Sequence, residues 1–240
     1  LASRLKDVKA TIVMPIDAPK SKIDNTTALG AEIVLYDRYT ESREEIARNL
    51  ADKNGAFLIP AYDHHDVICG QGTVGMEAFH QMANIGRSLN RFYCPIGGGG
   101  LMAGSSSALH LFSSDTKLIG VEPESLNDTQ KSLISGRRER IETQPNTLCD
   151  SLMAEIPGEI TFKINQNLVS YIDTVTDQQV IDAMRIIFNE FGLTVEPGGA
   201  VSLAAAMSAI ARKEVGSDEN IVVVLSGGNI SKERHRKLIN

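Results

Sequence analysis

The chain is poor in the residues that define several classes of protein. It has no tryptophan, only 5% aromatic residues and three cysteines among 240 residues. Cys69, Cys94 and Cys149 are scattered and form no C-x-x-C pair, so neither a zinc site nor a disulfide framework is indicated. We therefore expect reduced thiols and a cytoplasmic protein.

The sequence also lacks an excess of positive charge and long apolar runs. Its formal net charge is −6, which argues against nucleic-acid and membrane-surface binding, because both favour a basic face. No apolar run approaches the roughly 20 residues of a membrane-spanning helix. Hydrophobic residues make up 42% of the chain, which is enough for an ordinary globular core.

Short apolar segments alternate with amphipathic ones along most of the chain. This alternation predicts an α/β fold of open, mainly parallel sheets with helices on both faces. The polar segment 61–66 is the best candidate boundary, so we predict a small α/β domain at 1–64 and a large domain at 65–240. Strands are predicted at 9–15, 31–36, 56–60, 91–96, 117–121, 171–176 and 221–225.

Four consecutive glycines follow the predicted strand 91–96 and precede a predicted helix. Ordering glycines on folding costs much conformational entropy, and this loop has four of them, Gly97, Gly98, Gly99 and Gly100. Such a loop therefore indicates that the backbone must approach a ligand or another part of the protein closely. A strand, a glycine loop and a helix N-terminus together present amide N–H groups and a positive dipole end. The sequence therefore predicts a phosphate-binding loop.

A second glycine turn, Ser226-Gly227-Gly228-Asn229, follows the apolar strand predicted at 221–225. A strand that is apolar throughout is expected to be central and covered on both faces. Ligands of such sheets bind beyond the carboxyl ends of the strands, where both turns lie. We expect the two turns to form one cofactor site.

The residues alone leave other interpretations open. Gly98-x-Gly100-x-x-Ala103 fits the dinucleotide pattern, and Glu122 ends the next strand at the spacing of a ribose-binding acid, as in an NAD-dependent oxidoreductase. That interpretation leaves the turn at Ser226 without a role. A non-catalytic module that binds a phosphate ligand is a further alternative. The second turn in particular is also explained as a simple connection between a strand and a helix.

Seven segments, in order, span nearly the whole chain and carry a family resemblance. They are ATIVMP (10–15), LGAEIV (29–34), GQGT (70–73), GGGGL (97–101), VEP (121–123), VEPGGA (195–200) and LSGGN (225–229). With these segments the chain resembles the fold-type II pyridoxal-phosphate enzymes, with a tryptophan synthase β-like fold, in the branch of serine/threonine dehydratases and serine racemase. The resemblance implies a threonine or serine ammonia-lyase of amino-acid metabolism, with racemase activity as a side or main reaction, and a homodimer.

The resemblance also implies roles for individual residues around pyridoxal 5'-phosphate. The backbone amides of Gly97, Gly98, Gly99, Gly100 and Leu101 would bind the phosphate. Ser226 would form a hydrogen bond with the pyridine nitrogen; a neutral hydroxyl makes the ring a weaker electron sink, which suits β-elimination. Glu196 would lie near the ring, although its Val-Glu-Pro-Gly context is also typical of a helix cap.

Serine racemase and several relatives bind a divalent cation through a Glu, a backbone carbonyl and an Asp. The matching groups are Glu122, the carbonyl of Leu126 and Asp128, an all-oxygen set of the kind that Mg²⁺ or Ca²⁺ prefers. The alternative is that Glu122 and Asp128 are exposed acids on a loop and at a helix start.

The family's Schiff-base lysine lies in a Ser-Phe-Lys-x-Arg-Gly motif that this chain does not contain. We therefore predict no catalytic residue within the chain, place the lysine before Leu1 in a longer protein, and expect the chain alone to be inactive. Thr161-Phe162-Lys163 matches only the start of the motif, since Ile164 and Asn165 come next and no Arg-Gly follows. We expect Lys163 to be a surface residue.

Overall fold

The computed structural model describes residues 1–18, 20–37, 39–141 and 146–240. The chain forms two compact units, Leu1–Ile59 and Pro60–Asn240. The domain ranges 1–64 and 65–240 stay predictions. Within the described residues, no helix combines the length and apolar character needed to cross a membrane.

The first unit contains α1 (Ala2–Leu5), β1 (Thr11–Pro15), α2 (Lys20–Ala28), β2 (Glu32–Tyr36) and α3 (Arg43–Asn54). Strands β1 and β2 form a two-stranded parallel sheet in which Thr11 lies opposite Glu32. Helix α3 begins after Ser42, whose Oγ accepts a hydrogen bond from the Glu45 amide, and Gly55 is its C-cap residue.

The strand predicted at 56–60 is wrong. These residues form no strand, and Phe57 and Ile59 are 72% and 73% exposed. A strand needs a neighbour to take up its backbone hydrogen bonds, and no described strand pairs with this segment. An apolar run therefore does not make a strand by itself.

The elements of the second unit are α4 (His65–Asn84), β3 (Arg91–Pro95), α5 (Gly100–Phe112), β4 (Lys117–Pro123), α6 (Asp128–Ser135), a 3₁₀ turn (Asp150–Leu152), α7 (Glu159–Leu168), β5 (Tyr171–Val175), α8 (Asp177–Phe191), α9 (Pro197–Ala211), β6 (Ile221–Val223) and α10 (Lys232–Ile239). Its strands form a four-stranded, all-parallel sheet of order β5-β4-β3-β6. This confirms the predicted α/β class.

Two apolar clusters cover the two faces of this sheet. One contains Met184 of α8 and Val201 of α9, and the other contains Met102 and Leu109 of α5. Strand β3 is buried along its whole length. The side chains of the segment 221–225 alternate between the two clusters, so both faces are covered as expected, but β6 pairs only with β3 in the described sheet and is not central.

Glycine disfavours the interior of a helix, so Gly70 and Gly72 predict an interruption, but helix α4 runs through both without a break. Gly72 and Gly75 pack closely on α5. A Cβ at Gly72 would lie 3.1 Å from the Gly104 carbonyl oxygen, and one at Gly75 would lie 2.5 Å from the Ser105 carbonyl oxygen. Glycine in this helix therefore allows two helices to approach each other.

Candidate active site

The glycine loop leaves β3 at its carboxyl end and forms the start of α5. Gly99 is the N-cap residue, with φ of 93°, a backbone conformation that favours glycine, and it has no side chain to cap the helix. The first helical hydrogen bond runs from the Ala103 amide to the Gly99 carbonyl at 2.8 Å. The six preceding amides, residues 97–102, donate to no acceptor among the described residues.

This arrangement fits a phosphate group. Successive amides without acceptors, at the positive end of α5, are the donors that a doubly charged anion requires. An N-cap residue with an oxygen-bearing side chain would satisfy one of these donors itself, and glycine leaves it open. The loop therefore presents a row of backbone N–H donors, and no side chain at the N-cap position accepts a hydrogen bond from them.

The glycines are also required by the protein that surrounds the loop. A Cβ at Gly98 would collide with the ring of Tyr62, and one at Gly99 would lie 2.9 Å from the Asn165 Nδ2 and Thr161 Oγ1 atoms. The sequence predicts that the loop backbone approaches a ligand closely. The structure gives the glycines a second reason, because the loop backbone lies close to neighbouring side chains.

The second turn lies beside the first at the same edge of the sheet. Strands β3 and β6 are parallel neighbours, with Tyr93 opposite Val223, so the segments after both strands leave the same edge. Ser226 is exposed there. Its role toward a cofactor ring stays a prediction.

Glu196 lies against the second turn. Its amide donates to the Gly227 carbonyl at 3.0 Å, and its carboxyl group is so close that a Cβ at Gly227 would collide with it. Glu196 is the N-cap residue of α9, but its side chain forms no capping hydrogen bond. The side chain is therefore directed to the turn that contains Ser226 rather than to its own helix.

Glu122 and Asp128 are buried, with 0% and 1% exposure, so the alternative of two exposed acids is wrong. Glu122 ends β4 and accepts hydrogen bonds from the Thr129 and Gln130 amides at 3.1 and 3.0 Å, at the start of α6. Burial, and then the charge of Asp128, raise the pKa of Glu122 well above its usual value. Burial raises the pKa of Asp128 to about 7.

Three oxygen atoms beside Glu122 lack donors. Among the described residues, neither carboxyl oxygen of Asp128 has a hydrogen-bond partner, and no residue donates to the Leu126 carbonyl. A buried carboxylate without a partner is costly, so a cation or a proton would relieve it. The described residues contain no cluster of three or more His, Cys, Asp or Glu side chains, and the metal site stays a prediction.

Lys163 lies on the outside of α7, with a side chain 74% exposed and an ion pair to Glu159 at 4.0 Å. Its expected surface position is confirmed. The prediction that the Schiff-base lysine lies outside the chain stays a prediction.

Sequence reasoning missed the residues that hold the loop from outside. The carboxylate of Asp63 accepts the Glu159, Ile160 and Thr161 amides at 2.7, 2.9 and 3.1 Å, and so caps α7. Thr161 and Asn165 donate to loop carbonyls. No local pattern marks these contacts, because their partners are far apart in sequence.

Together these features define a class of protein. A parallel sheet covered on both faces, with an open amide cradle and a second glycine turn at its carboxyl edge, is the architecture of an α/β protein that binds a phosphate-bearing cofactor. The family model of the pyridoxal-phosphate dependent enzymes matches residues 1–227. The chain belongs to this family, and its structural neighbours are fold-type II enzymes.

Individual relatives agree with this assignment. The chain is 41% identical over its whole length to L-threo-3-hydroxyaspartate ammonia-lyase of Saccharomyces cerevisiae, covering 71% of that protein. It is 35% identical over its whole length to serine racemase of Schizosaccharomyces pombe, covering 72%. The structure of maize serine racemase superposes with a TM-score of 0.90 at 31% identity, covering 99% of this chain and 71% of that one.

These findings do not favour the alternative that the chain is an NAD-dependent oxidoreductase. Glu122, the acid expected to bind a ribose, is buried and accepts the first amides of α6 instead. The family match likewise disfavours a non-catalytic phosphate-binding module.

Proposed function

We propose that the chain is the cofactor-binding part of a pyridoxal-phosphate dependent ammonia-lyase. Its substrate is a small β-hydroxy amino acid such as threonine or serine, and its products are a 2-oxo acid and ammonia, with racemisation as a second activity. The observation that carries this proposal is the run of six open amides at residues 97–102. The names of the relatives support the substrate class, since they include a hydroxyamino-acid ammonia-lyase and serine racemases.

The residues of the chain would hold the cofactor at both ends. The amides of Gly97, Gly98, Gly99, Gly100 and Leu101 would donate to the phosphate, and the dipole of α5 would add to their attraction. The Ser226 hydroxyl would donate to the pyridine nitrogen without transferring a proton to it, and Glu196 would lie near the ring. When bound, pyridoxal phosphate withdraws electrons from the α-carbon of an amino acid and so makes its α-proton acidic.

The chain's own contribution is binding and electrostatics. In the net reaction the substrate loses its α-proton and its β-hydroxyl group, and water then displaces the amino group as ammonia. We predict that the group that moves the α-proton is a lysine outside these residues. A neutral hydroxyl at Ser226 suits this elimination, because the departing β-hydroxyl group takes up the electrons.

The role of Ser226 can be tested in a longer protein that includes the lysine. We expect Ser226→Ala to lower the rate of 2-oxo acid formation by about tenfold or more, the scale of a lost hydrogen bond to a polarised group. The exposed Ser88→Ala serves as control and should keep the wild-type rate. Unchanged turnover in Ser226→Ala would remove Ser226 from the site.

Whether the Schiff-base lysine lies outside the 240 residues is tested on the 240-residue chain itself. The chain is incubated with pyridoxal phosphate, reduced with borohydride and analysed by mass spectrometry of its peptides. We expect no adduct confined to one lysine. An adduct at a single lysine would show that the reactive amine lies within the chain.

We further propose that Glu122, the Leu126 carbonyl and Asp128 bind Mg²⁺ or Ca²⁺, with water completing the shell. Support comes from the buried carboxyl pair and the oxygens without donors. The ion should raise the melting temperature of the wild type and of Glu124→Ala, an exposed acid nearby, but not of Asp128→Ala, because an ion that binds only the folded state stabilises it. An effect of Asp128→Ala that is the same with and without the ion would contradict the site.

We also propose that the complete enzyme is a cytoplasmic homodimer. The three cysteines are free thiols, as expected in a reducing compartment. Light scattering after size-exclusion chromatography should give twice the mass of the complete subunit; the mass of a single subunit would contradict the dimer.

A further inference from the structure

Helix α7 touches the glycine loop on the side of its carbonyl groups. The Thr161 hydroxyl donates to the Gly98 carbonyl at 2.7 Å, and the Gly158 amide donates to the same oxygen at 3.2 Å. The Asn165 Nδ2 donates to the Gly99 carbonyl at 3.2 Å. Thr161 and Asn165 are 0% and 1% exposed, so water does not compete for these bonds.

These bonds fix the direction of the amides. In a planar trans peptide, the carbonyl of one residue and the N–H of the next point in opposite directions. Holding the Gly98 carbonyl toward α7 therefore turns the Gly99 N–H away from it, and holding the Gly99 carbonyl does the same for the Gly100 N–H. Peptides between glycines otherwise rotate more easily than any others.

The helix that carries these donors is itself anchored. The Asp63 carboxylate accepts the first three amides of α7, at Glu159, Ile160 and Thr161, and its negative charge lies at the positive end of the helix dipole. A Cβ at Gly158 would lie 2.5 Å from both Asp63 Oδ1 and Thr161 Oγ1, which shows how closely these groups pack.

We infer that Thr161 and Asn165 are positioning residues, which form a clamp that turns the glycine-loop amides toward the cofactor phosphate. The inference rests on the proposed function and deepens it, since it explains why a loop of four glycines presents its donors in one direction. The clamp acts before any ligand arrives, so binding does not have to order the loop.

The test compares binding of pyridoxal phosphate with binding of pyridoxal, which lacks the phosphate, by calorimetry on the 240-residue chain. Thr161→Val keeps the shape of the side chain and removes the donor. We expect it to weaken binding of pyridoxal phosphate by about tenfold, the scale of one lost hydrogen bond, and to leave binding of pyridoxal unchanged. Thr161→Ser restores the hydroxyl and should restore the affinity.

Thr116→Val is the matched control. The Thr116 hydroxyl also donates to a backbone carbonyl, that of Leu89, at 2.7 Å and is 6% exposed, but it precedes β4 at the opposite end of the sheet. We expect this variant to lose stability without losing affinity for pyridoxal phosphate. Equal affinity of Thr161→Val and wild type, or equal weakening of both ligands, would overturn the clamp.

A second measurement needs no ligand. NMR relaxation dispersion of the free chain should show new exchange at the Gly99 and Gly100 amides in Thr161→Val and not in Thr116→Val. Unchanged dynamics at these amides would overturn the clamp by itself. A wild-type chain that does not bind pyridoxal phosphate would overturn the proposed function, so the two failures are distinct.

Discussion

At the scale of single residues, His235 shows how burial controls a charge. It lies on α10, is 2% exposed, and packs against the ring of Phe188 with 5.2 Å between ring centroids. Its Nε2 atom has no hydrogen-bond partner in the part of the chain that the structure describes. Burial lowers the pKa of His235 below its usual value of 6.5, because the charged form is poorly solvated there.

This lowered pKa predicts a pH dependence of stability. As the pH falls below 6.5, the unfolded chain takes up a proton at this position while the native chain resists it, so the unfolding free energy decreases. The slope is at most about 1.4 kcal/mol per pH unit for one proton. Between pH 7.5 and 5 the raised pKa values of Glu122 and Asp128 act in the opposite direction, but all variants share them. Denaturant unfolding over this range should therefore show the unfolding free energy of wild type and of the exposed His110→Gln falling relative to that of His235→Gln. An equal change in all three would contradict the argument.

Residues also show what a sequence can predict about a site. The glycine loop is a local pattern, so a run of open amides at a helix start could be predicted from Gly97 to Gly100 alone. The clamp could not, because Thr161 and Asn165 are 63 and 66 residues from the carbonyls that they hold. Contacts of this kind depend on how α7 packs against the loop, which no spacing in the sequence records.

At the scale of elements, the packing of α4 against α5 depends on glycine. Gly75 faces α5, whereas a Cβ at Gly70, five residues earlier in the same helix, would meet nothing within 4 Å. Alanine favours a helix by about 1 kcal/mol relative to glycine where there is room. At Gly75 the added methyl group would instead push against the Ser105 carbonyl oxygen.

The two glycines therefore predict opposite effects. Gly70→Ala should raise the unfolding free energy by up to about 1 kcal/mol. Gly75→Ala should lower it by about 1–3 kcal/mol, the usual cost of overpacking. Urea unfolding followed by circular dichroism measures both, and a stabilising Gly75→Ala would show that the helices are not in close contact.

Two predictions of secondary structure that rest on local sequence patterns are wrong. Gly70 and Gly72 suggest a break in α4, and the segment 56–60 suggests a strand; neither is correct. At two of these three places the outcome depends on a neighbour: α5 lies close to α4 at Gly72, and the segment 56–60 has no described strand beside it. A single sequence shows the residues of an element but not its partners.

At the scale of the whole molecule, seven motifs in one order predicted the fold and the family. What they could not predict was the position of β6 in the sheet, since the apolar residues of segment 221–225 pack against clusters on both faces wherever the strand lies. Tyr62, Thr161 and Asn165, which lie against the glycine loop, belong to one compact unit, Pro60–Asn240.

Because the chain divides into two compact units, we can predict how a shortened chain behaves. Residues 60–240 contain their own sheet, both apolar clusters, the glycine loop and its clamp. We expect this shortened chain to unfold cooperatively and to bind pyridoxal phosphate as the 240-residue chain does, as titration calorimetry would show. Loss of cooperative unfolding, or of binding in a folded chain, would show that residues 1–59 are needed for the site.

The central claim is that the backbone amides of residues 97–101 bind a phosphate group. The most direct measurement is a ¹H–¹⁵N NMR titration of the chain, labelled with ¹⁵N-glycine, with pyridoxal phosphate and separately with pyridoxal. We predict downfield proton shifts at Gly97, Gly98, Gly99 and Gly100 with the phosphate ester, and none at these positions with pyridoxal. Unmoved loop glycines, or equal shifts with both compounds, would contradict the account.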